Sequence, residues 1–308
     1  MRHLLTLFDV ASSEIEEIFD IARDLKERFL QGIRKPILSE KVMGLLFEKP
    51  SLRTRVSFEA GMTHLGGSCH FLGDDVGWGK RESMKDFSEV LSQYLDVIVC
   101  RTRDHGQLEQ LANYSSCPVI NGLTSVGHPC QALTDLYTLY EIHGSLEGRS
   151  LAYVGDGNNV ARSLAVACAK LNVKFSMAAP RQYQLNGSFL SRLQQEYPDL
   201  QFHLTEDPKE VVTDASCVYT DVWASMGQES ESQLRKQDFA EYQVNSALMA
   251  LAPDTARFLH CLPAHRGEEV TDDVIDGPQS AVVQQASNRL HVQKGILVWL
   301  LKNANAAR

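Results

Sequence analysis

Short apolar or β-branched runs alternate along the chain with longer segments whose apolar residues recur at helical spacing. Each apolar run ends in glycine, proline or polar residues, and a helical segment follows it. This alternation is typical of βαβ units, in which helices cover a parallel sheet. We therefore predict an α/β protein built on parallel sheets.

The predicted elements fall into two sets, separated by a turn at 143–149. The first set opens with an amphipathic helix over 13–30, capped by Ser12 or Ser13, and a long helix over 281–302 ends the chain. We expect two domains, 1–143 and 144–280, each a parallel sheet flanked by helices, with a C-terminal helix in 281–308 that returns to the first domain. The predicted strands are 41–47, 68–72, 96–100 and 118–121 in the first set, and 151–154, 174–178, 201–204, 217–221 and 257–261 in the second.

Composition narrows the class of partner. The 308 residues include 30 Lys and Arg against 39 Asp and Glu, a formal charge of −9, which disfavours nucleic acid and acidic membranes as partners. No apolar stretch approaches the ~18 residues of a membrane span, and the run at 4–8 is too short for a signal peptide. Seven scattered cysteines without a Cys-x-x-Cys pair favour reduced thiols. We expect a cytoplasmic protein of two domains.

The end of the first strand carries an unusual group of basic and hydroxyl residues. Ligands of open parallel sheets bind beyond the carboxyl ends of the strands. A helix that begins at Leu52 or Arg53 would present free N–H groups there, beside the hydroxyls of Ser51 and Thr54 and a second guanidinium at Arg55. Alternatively, Ser51 is a plain N-cap and the arginines form a solvated first turn. Because arginine in a first turn opposes the helix dipole, we favour an anion site of phosphate type.

Two further strand ends of the first set are also polar. Arg101 and Arg103 follow the third strand, and His128 and Gln131 follow the fourth, where Pro129 fits the first turn of a helix. His128 and Gln131 lie three residues apart on one helix face, so both can contact one ligand. Each residue alone is more often structural, but their position at the same rim as the arginines favours a shared site.

In the second set, the segment 155–160 invites a dinucleotide-binding interpretation. Val160 replaces the third glycine of that motif, and the next strand ends without an acidic residue for a ribose hydroxyl. We therefore interpret the segment as a tight turn that presents Asn159, and a nucleotide-dependent oxidoreductase remains the weaker alternative.

Asp221 and Cys261 follow two later strands. Asp221 precedes a loop of small residues and suits a substrate ammonium group, although a turn cap is the simpler explanation. A metal site around Cys261 is disfavoured, because His260, Cys261 and His265 lack the spacing that is usual for zinc ligands. A cysteine nucleophile paired with His128 or His265 remains open, because the sequence does not show thiolate activation.

Together these segments resemble the aspartate and ornithine carbamoyltransferases. Residues 47–55 resemble the Ser-x-Arg-Thr-Arg phosphate loop of that family, and 128–131 with Asp135 resemble its His-Pro-x-Gln segment. The Ser-Met-Gly loop at 221–227 and His-Cys-Leu-Pro at 260–263 are similar to the ornithine-specific branch. The motifs occur in family order and cover nearly the whole chain.

The resemblance implies transfer of a carbamoyl group from carbamoyl phosphate to the side-chain amine of L-ornithine, which gives L-citrulline and phosphate without a cofactor or a metal. Putrescine or an N-acylated ornithine is the alternative acceptor, and a non-catalytic metabolite-binding relative is a further alternative. The catalytic residues implied are Arg53, Arg101, His128 and Cys261. Carbamoyl phosphate would be bound by Ser51, Leu52, Arg53, Thr54, Arg101, His128, Gln131, Cys261, Leu262 and Arg289, and ornithine by Asn159, Asp221, Ser225 and Met226.

The same resemblance implies a homotrimer or a multiple of trimers, with the sites in the domain cleft and near subunit interfaces. It also places the chain in amino-acid metabolism, with arginine biosynthesis or citrulline breakdown as the two settings. One departure lies in the loop 74–83, where family members often carry a glutamine that reaches a neighbouring subunit's phosphate. Here Gly77 occupies that position, and Trp78 or Lys80 is the candidate for compensation.

Overall fold

The structure is a computed structural model that describes residues 2–79, 81–225 and 227–305. It divides into two compact units. Unit 1 comprises Met1–Thr134 and Ser287–Arg308, and unit 2 comprises Asp135–Ala286.

Unit 1 contains a four-stranded sheet in the order β2-β1-β3-β4, and every pairing is parallel. The apolar runs of β1 and β3 are almost wholly buried, as central strands covered on both faces require, whereas edge strand β2 is largely exposed. Its strands are β1 (Val42–Phe47), β2 (Ser68–Leu72), β3 (Val97–Arg101) and β4 (Val119–Leu123). Its helices are α1 (Ser12–Leu30), α2 (Leu52–His64), α3 (Met84–Tyr94), α4 (His105–Tyr114) and the beginning of α5 (Pro129–His143), with short 3-10 turns at Leu7–Asp9 and Asp74–Val76.

Unit 2 contains a five-stranded sheet in the order β7-β6-β5-β8-β9, again parallel throughout. Its strands are β5 (Ser150–Val154), β6 (Lys174–Ala178), β7 (Phe202–Thr205), β8 (Cys217–Thr220) and β9 (Arg257–His260). Its helices are α6 (Asn159–Lys170), α7 (Gly187–Glu196), α8 (Pro208–Val212), α9 (Ser232–Asp238), α10 (Ser246–Met249) and α11 (Asp272–Ile275), followed by the beginning of α12 (Val282–Asn305). Short 3-10 turns lie at Arg181–Tyr183, Glu229–Glu231 and Ala240–Tyr242.

The predicted fold class is confirmed: each of the nine predicted strands is present, and both sheets are parallel. The predicted cap of α1 is wrong. The N-cap is Ala11, whose N–H donates to Glu14 Oε2 at 2.8 Å, so neither Ser12 nor Ser13 caps the helix. The Glu14 carboxylate, at the third helical position, satisfies the N–H of the cap residue. The helix therefore begins one residue earlier than predicted.

The return of the C-terminal helix to the first domain is also confirmed. In unit 1, α12 packs on α1 so closely that a Cβ added to Gly295 would lie 2.6 Å from the carbonyl oxygen of Ile18. Lys26 Nζ also donates to Asn288 Oδ1 at 2.7 Å. The predicted domain limits at 143 and 280 stay predictions, because the chain passes between the units inside α5 and α12.

Across the described residues, no helix is both long and apolar enough to cross a membrane.

Candidate functional site

The phosphate loop predicted in unit 1 forms the N-terminus of α2. Ser51 is the N-cap, and its Oγ accepts from the N–H of Thr54 at 3.3 Å. The Leu52 side chain is 74% exposed, and Leu52 is the first residue of the helix, where a backbone N–H has no acceptor within the helix. Arg53 is half-buried in the first turn, and its carbonyl accepts from Ser57 Oγ at 2.5 Å. The helix therefore starts where the sequence predicts.

Arg289 connects three elements of unit 1. Its Nη2 donates to Thr54 Oγ1 on α2 at 2.9 Å, and its Nη1 donates to Gln131 Oε1 on α5 at 2.7 Å. All three side chains are buried. Hydrogen bonds from a charged group are the stronger kind, so this arrangement fixes the position of the α2 N-terminus relative to α5 and α12.

His128 lies at the start of α5, buried close to two guanidinium groups. Burial, with Arg289 and Arg101 nearby, lowers the pKa of His128 well below its usual value. The imidazole is therefore neutral near pH 7. His128 is thus a neutral hydrogen-bonding group beside two arginine side chains.

The ends of β1 and β3 are held together by Glu48, which the sequence analysis did not identify. Its Oε2 accepts from Thr102 Oγ1 and from the N–H of Arg103, both at 2.9 Å, and its own N–H donates to the carbonyl of Arg101 at 2.9 Å. Glu48 thus fixes the backbone on which Arg101 sits, while the Arg103 side chain is exposed.

Arg55 has a structural position. Its guanidinium lies 3.8 Å from the centre of the Phe71 ring, and its Nε donates to Glu59 Oε1 at 2.9 Å. These two contacts explain why an arginine lies so near the start of the helix, and no ligand is needed to explain it.

Gly77, the departure from the family pattern, has a left-handed φ of +68°. A Cβ there would lie 2.4 Å from Cδ of Arg81. A glutamine would therefore be strained in this conformation of the loop. Trp78 packs against the apolar core of unit 1, and Lys80 lies outside the described residues.

In unit 2, Asp221 is a buried carboxylate just beyond β8 with three donors around it. Its Oδ2 accepts from Asn158 Nδ2 at 2.8 Å, and its Oδ1 accepts from the N–H of Val222 at 2.8 Å and from Cys261 Sγ at 3.0 Å. Asp221 is thus the cap of its own turn and also the centre of a polar cluster; its contact with a substrate ammonium group stays a prediction.

The amide that contacts Asp221 belongs to Asn158, and the sequence analysis singled out its neighbour. Asn158 is the N-cap of α6, and its Oδ1 accepts from the N–H groups of Val160 and Ala161 at 2.9 and 3.1 Å. Asn159 is the first residue of the helix and is half-buried. An asparagine directly before a helical run is the signal for an N-cap, and it could have identified Asn158.

Cys261 is a protonated thiol in this environment. Burial and the adjacent Asp221 carboxylate raise its pKa well above the usual value, and the Sγ–H donates to that carboxylate. A thiol in this state is a poor nucleophile, which argues against a covalent intermediate.

The loop after Cys261 is fixed by His260. The His260 Nδ1 accepts from the N–H of Leu262 at 2.8 Å, and its Nε2 lies 3.2 Å from Glu269 Oε1. Asp221, His260 and Cys261 lie close enough to share a metal ion, and so do His265, Glu268 and Glu269. Because both nitrogens of His260 already have partners, the first set is not a ready ligand group. The second set consists of partly exposed side chains around buried Glu269.

A buried ion pair holds the loop that follows Asp221. Arg235 on α9 donates to the carbonyl of Trp223 at 2.9 Å and lies 3.2 Å from Asp156 Oδ2. Burial outweighs the effect of Arg235 and raises the pKa of Asp156 to about 6. Farther along the loop, the N–H of Ser225 donates to Gln228 Oε1 at 2.9 Å. Met226, also predicted to bind ornithine, lies outside the described residues.

Gln285 is another buried residue that the sequence analysis missed. Its Nε2 donates to Asp135 Oδ1 at 2.6 Å, and its Oε1 accepts from the N–H of His260 at 3.0 Å. Asp135 of the His-Pro-x-Gln segment therefore belongs to the interior of unit 2 and supports the end of β9.

Comparison with known proteins gives a consistent family. Residues 2–141 match the carbamoyl-phosphate-binding domain model of the aspartate/ornithine carbamoyltransferases, and residues 147–300 match the Asp/Orn-binding domain model. Ornithine carbamoyltransferase of Anoxybacillus flavithermus is 49% identical over 303 residues, which are 97% of this chain and 96% of the relative.

Solved structures agree with this result. Ornithine carbamoyltransferase from Pyrococcus furiosus superposes with a TM-score of 0.94 at 45% identity, over 98% of this chain and 97% of that one. Anabolic ornithine carbamoyltransferase from Campylobacter jejuni gives a TM-score of 0.91 at 32% identity, over 100% of both chains. The chain therefore belongs to the aspartate/ornithine carbamoyltransferase family.

Proposed function

We propose that the two units divide the substrates of one reaction: unit 1 binds carbamoyl phosphate and unit 2 binds L-ornithine. The reaction is transfer of the carbamoyl group to the ornithine side-chain amine, which gives L-citrulline and phosphate. The observation that carries the assignment is the Arg289 network, which holds Thr54 and Gln131 beside a neutral, buried His128. That arrangement suits an uncharged carbonyl next to a phosphate.

The phosphate group binds at the α2 N-terminus. N–H groups at the start of the helix and the Ser51 and Thr54 hydroxyls donate to it, and Arg53 and Arg101 neutralise its charge. The Leu52 N–H is part of this set. Because these groups hold a dianion, they also stabilise the phosphate as it leaves.

The carbonyl oxygen of the carbamoyl group is polarised by neutral His128 and by Arg101. Gln131 is oriented by Arg289 and contacts the carbamoyl amide. Cys261 and Leu262 contact carbamoyl phosphate from the side on which the acceptor amine binds. As the amine attacks, negative charge grows on the carbonyl oxygen, and donors already in place lower the barrier.

Ornithine binds around Asp221. The side-chain amine has a reference pKa of about 10.4, so it must lose a proton before it attacks. Asp221 and the Cys261 thiol orient the nitrogen, while Asn159, Ser225 and Met226 hold the α-amino and α-carboxylate end. A carbon–nitrogen bond then forms, the carbon–oxygen bond to phosphate breaks and the nitrogen releases a second proton. No covalent enzyme intermediate is part of this route.

The assembly and the setting are proposed on the same basis. We propose a homotrimer or a multiple of trimers that works in the cytoplasm, in arginine biosynthesis. All seven cysteines are free thiols, which suits a reducing compartment, and the anabolic Campylobacter jejuni relative supports the biosynthetic direction. Light scattering should give a mass that is a multiple of three chains, and a monomer would contradict the proposal.

A single assay tests the function. Citrulline formation is measured with carbamoyl phosphate and ornithine, and carbamoyl transfer is measured in parallel with acetylornithine and putrescine as acceptors. We expect ornithine to be preferred by at least about a hundredfold, because the other two lack an α-ammonium or α-carboxylate and leave polar groups of the site unpaired. Equal rates with putrescine would contradict the assignment of Asn159, Ser225 and Met226, and no turnover with any acceptor would contradict the function.

A further inference from the structure

Four basic side chains surround one phenyl ring in unit 1, where α1, α2 and α12 meet. The Arg34 Cζ lies 3.7 Å and the Lys294 Nζ 5.3 Å from the centre of the Phe29 ring, and the rings of His64 and His291 lie with centroids 5.3 and 5.2 Å away. We call Arg34, His64, His291 and Lys294 the Phe29 cluster. A fifth basic residue, Lys26, lies on the same side of α1 and acts on His291.

The cluster is buried on its inner side without a compensating acid. His291 and Lys294 are each only 2% exposed, whereas Arg34 is exposed and His64 half-buried. Burial and the neighbouring positive charges lower the pKa of His291 to about 3 and that of Lys294 to about 8. Every charge that acts on His64, His291 and Lys294 is positive. Over residues 2–79, 81–225 and 227–305, no salt bridge joins a member of the cluster to a carboxylate.

Backbone carbonyls satisfy only part of the cluster. Lys294 Nζ donates to the carbonyl of Leu25 at 3.3 Å, and Arg34 Nη1 donates to that of Phe29 at 3.1 Å. Among the residues that the structure describes, none is a hydrogen-bond partner of the buried Nδ1 atoms of His64 and His291. Buried polar atoms are rarely left in this state, so two of them beside two cations indicate a missing polar partner.

We propose that the Phe29 cluster is an anion-binding site for a tetrahedral dianion of the phosphate or sulfate class. Such an anion supplies the absent negative charge and accepts from Arg34, from Lys294 and from the imidazoles once they are protonated. Arg34 and His64 form the accessible rim, and His291 and Lys294 form the floor. The site is built from α1, the segment that follows it, the end of α2 and α12, and no short motif marks it.

The cluster is separate from the groups that bind the substrate phosphate. His64 is the last residue of α2, and the phosphate loop is at its first residue, about 18 Å away along a 13-residue helix. On α12, His291 is two residues from Arg289, which places the two side chains about 200° apart around the helix. Anion binding here would therefore tie α1, α2 and α12 together and leave the substrate loop open.

Sulfate is a suitable probe because it remains a dianion between pH 6 and 8. Titration calorimetry of the wild-type chain should give two sulfates per chain, one of them at the phosphate loop, and Arg101→Met should leave only the second. We expect binding in Arg101→Met to strengthen at least about tenfold from pH 8 to 6, since the bound anion favours the protonated forms of Lys294 and the histidines. Binding of methyl phosphate in place of sulfate would assign the site to phosphate esters, and its exclusion would assign it to free inorganic anions.

Variants of the cluster decide the matter. Arg34→Gln should weaken this second sulfate at least about tenfold, in wild-type or Arg101→Met background, and His291→Gln should reduce the pH dependence. Arg34 is exposed, so its variant is expected to fold. Arg55→Gln is the matched control, a basic residue of α2 outside the cluster, and it should retain both sulfates. No second sulfate at either pH, or equal loss in Arg34→Gln and Arg55→Gln, would overturn the proposal, and neither result bears on carbamoyl transfer.

Discussion

The two units hold opposite charges at the ends of their strands. In unit 1 the groups near the phosphate loop are Arg53, Arg101 and Arg289, with a histidine kept neutral. In unit 2 the central group is Asp221, which accepts from an amide, a backbone N–H and a thiol. This contrast supports the proposed division, in which unit 1 binds a phosphate dianion and unit 2 binds an amine. The whole chain has a net charge of −9, so the group of arginines in unit 1 is a local exception to the overall charge.

Arg53→Ala tests the cationic side and should have the largest effect. Loss of a donor that acts on developing negative charge typically costs about a hundredfold or more in kcat. We expect citrulline formation to fall by at least about a hundredfold, whereas Arg55→Ala, two residues away and stacked on Phe71, should stay within about threefold. Steady-state kinetics with both substrates measures this. Near-normal turnover of Arg53→Ala would remove the phosphate loop from the mechanism.

Asp221→Asn tests the anionic side. A hydrogen bond to a charged group contributes about 1.5–3 kcal/mol, so kcat/KM for ornithine should fall about ten- to a hundredfold. The KM for carbamoyl phosphate should change little, because that substrate is assigned to unit 1. Asp238→Asn is the control: Asp238 is in the same unit and accepts from the Tyr183 hydroxyl at 2.7 Å. A larger defect for carbamoyl phosphate than for ornithine would show that the division between the units is wrong.

The units should also respond oppositely to acid. Burial lowers the pKa of His291 to about 3, so its imidazole stays neutral in the folded unit 1. In the unfolded chain the same imidazole takes up a proton near pH 6.5. The stability of unit 1 therefore falls as the pH drops below about 6.5. Burial raises the pKa of Asp156 to about 6, so the folded unit 2 keeps a proton that the unfolded chain releases near pH 4. That group stabilises unit 2 as the pH falls from 6 toward 4.

Urea unfolding at pH 7 and pH 5 measures this difference. Each pKa unit corresponds to about 1.4 kcal/mol. Between pH 7 and pH 5, the free energy of unfolding of His291→Gln should therefore rise by about 2 kcal/mol relative to that of the wild type. Asp156→Asn should move in the opposite direction by about 1 kcal/mol over the same interval. The same sign for both test variants would contradict the opposite burial effects.

The strands could be predicted from the sequence, whereas the hydrogen-bond partners of the site residues could not. Runs such as Val97–Arg101 are wholly buried, and continuous apolar residues indicate that without any knowledge of neighbours. The Asp221 contact with Asn158 spans 63 residues, and the Arg289 contact with Thr54 spans 235. The periodicity of one segment carries no information about such pairs. Asn158 was missed for a local reason: two asparagines stand side by side, one as the helix cap and one as the first helical residue, and only the structure shows that Asn158 contacts Asp221.

The smallest expected effect concerns Cys261 of unit 2, the cysteine that the sequence leaves open as a nucleophile. Its thiol donates to Asp221 and its pKa is raised, so it acts as a neutral hydrogen-bond donor. Cys261→Ser keeps that donor, and kcat/KM for ornithine should fall less than about tenfold. Mass spectrometry of the wild-type chain with carbamoyl phosphate alone should show no adduct. A stoichiometric carbamoyl adduct on Cys261, together with an inactive serine variant, would replace direct attack with a two-step transfer, because a thiol that only orients the amine has no reason to carry the group.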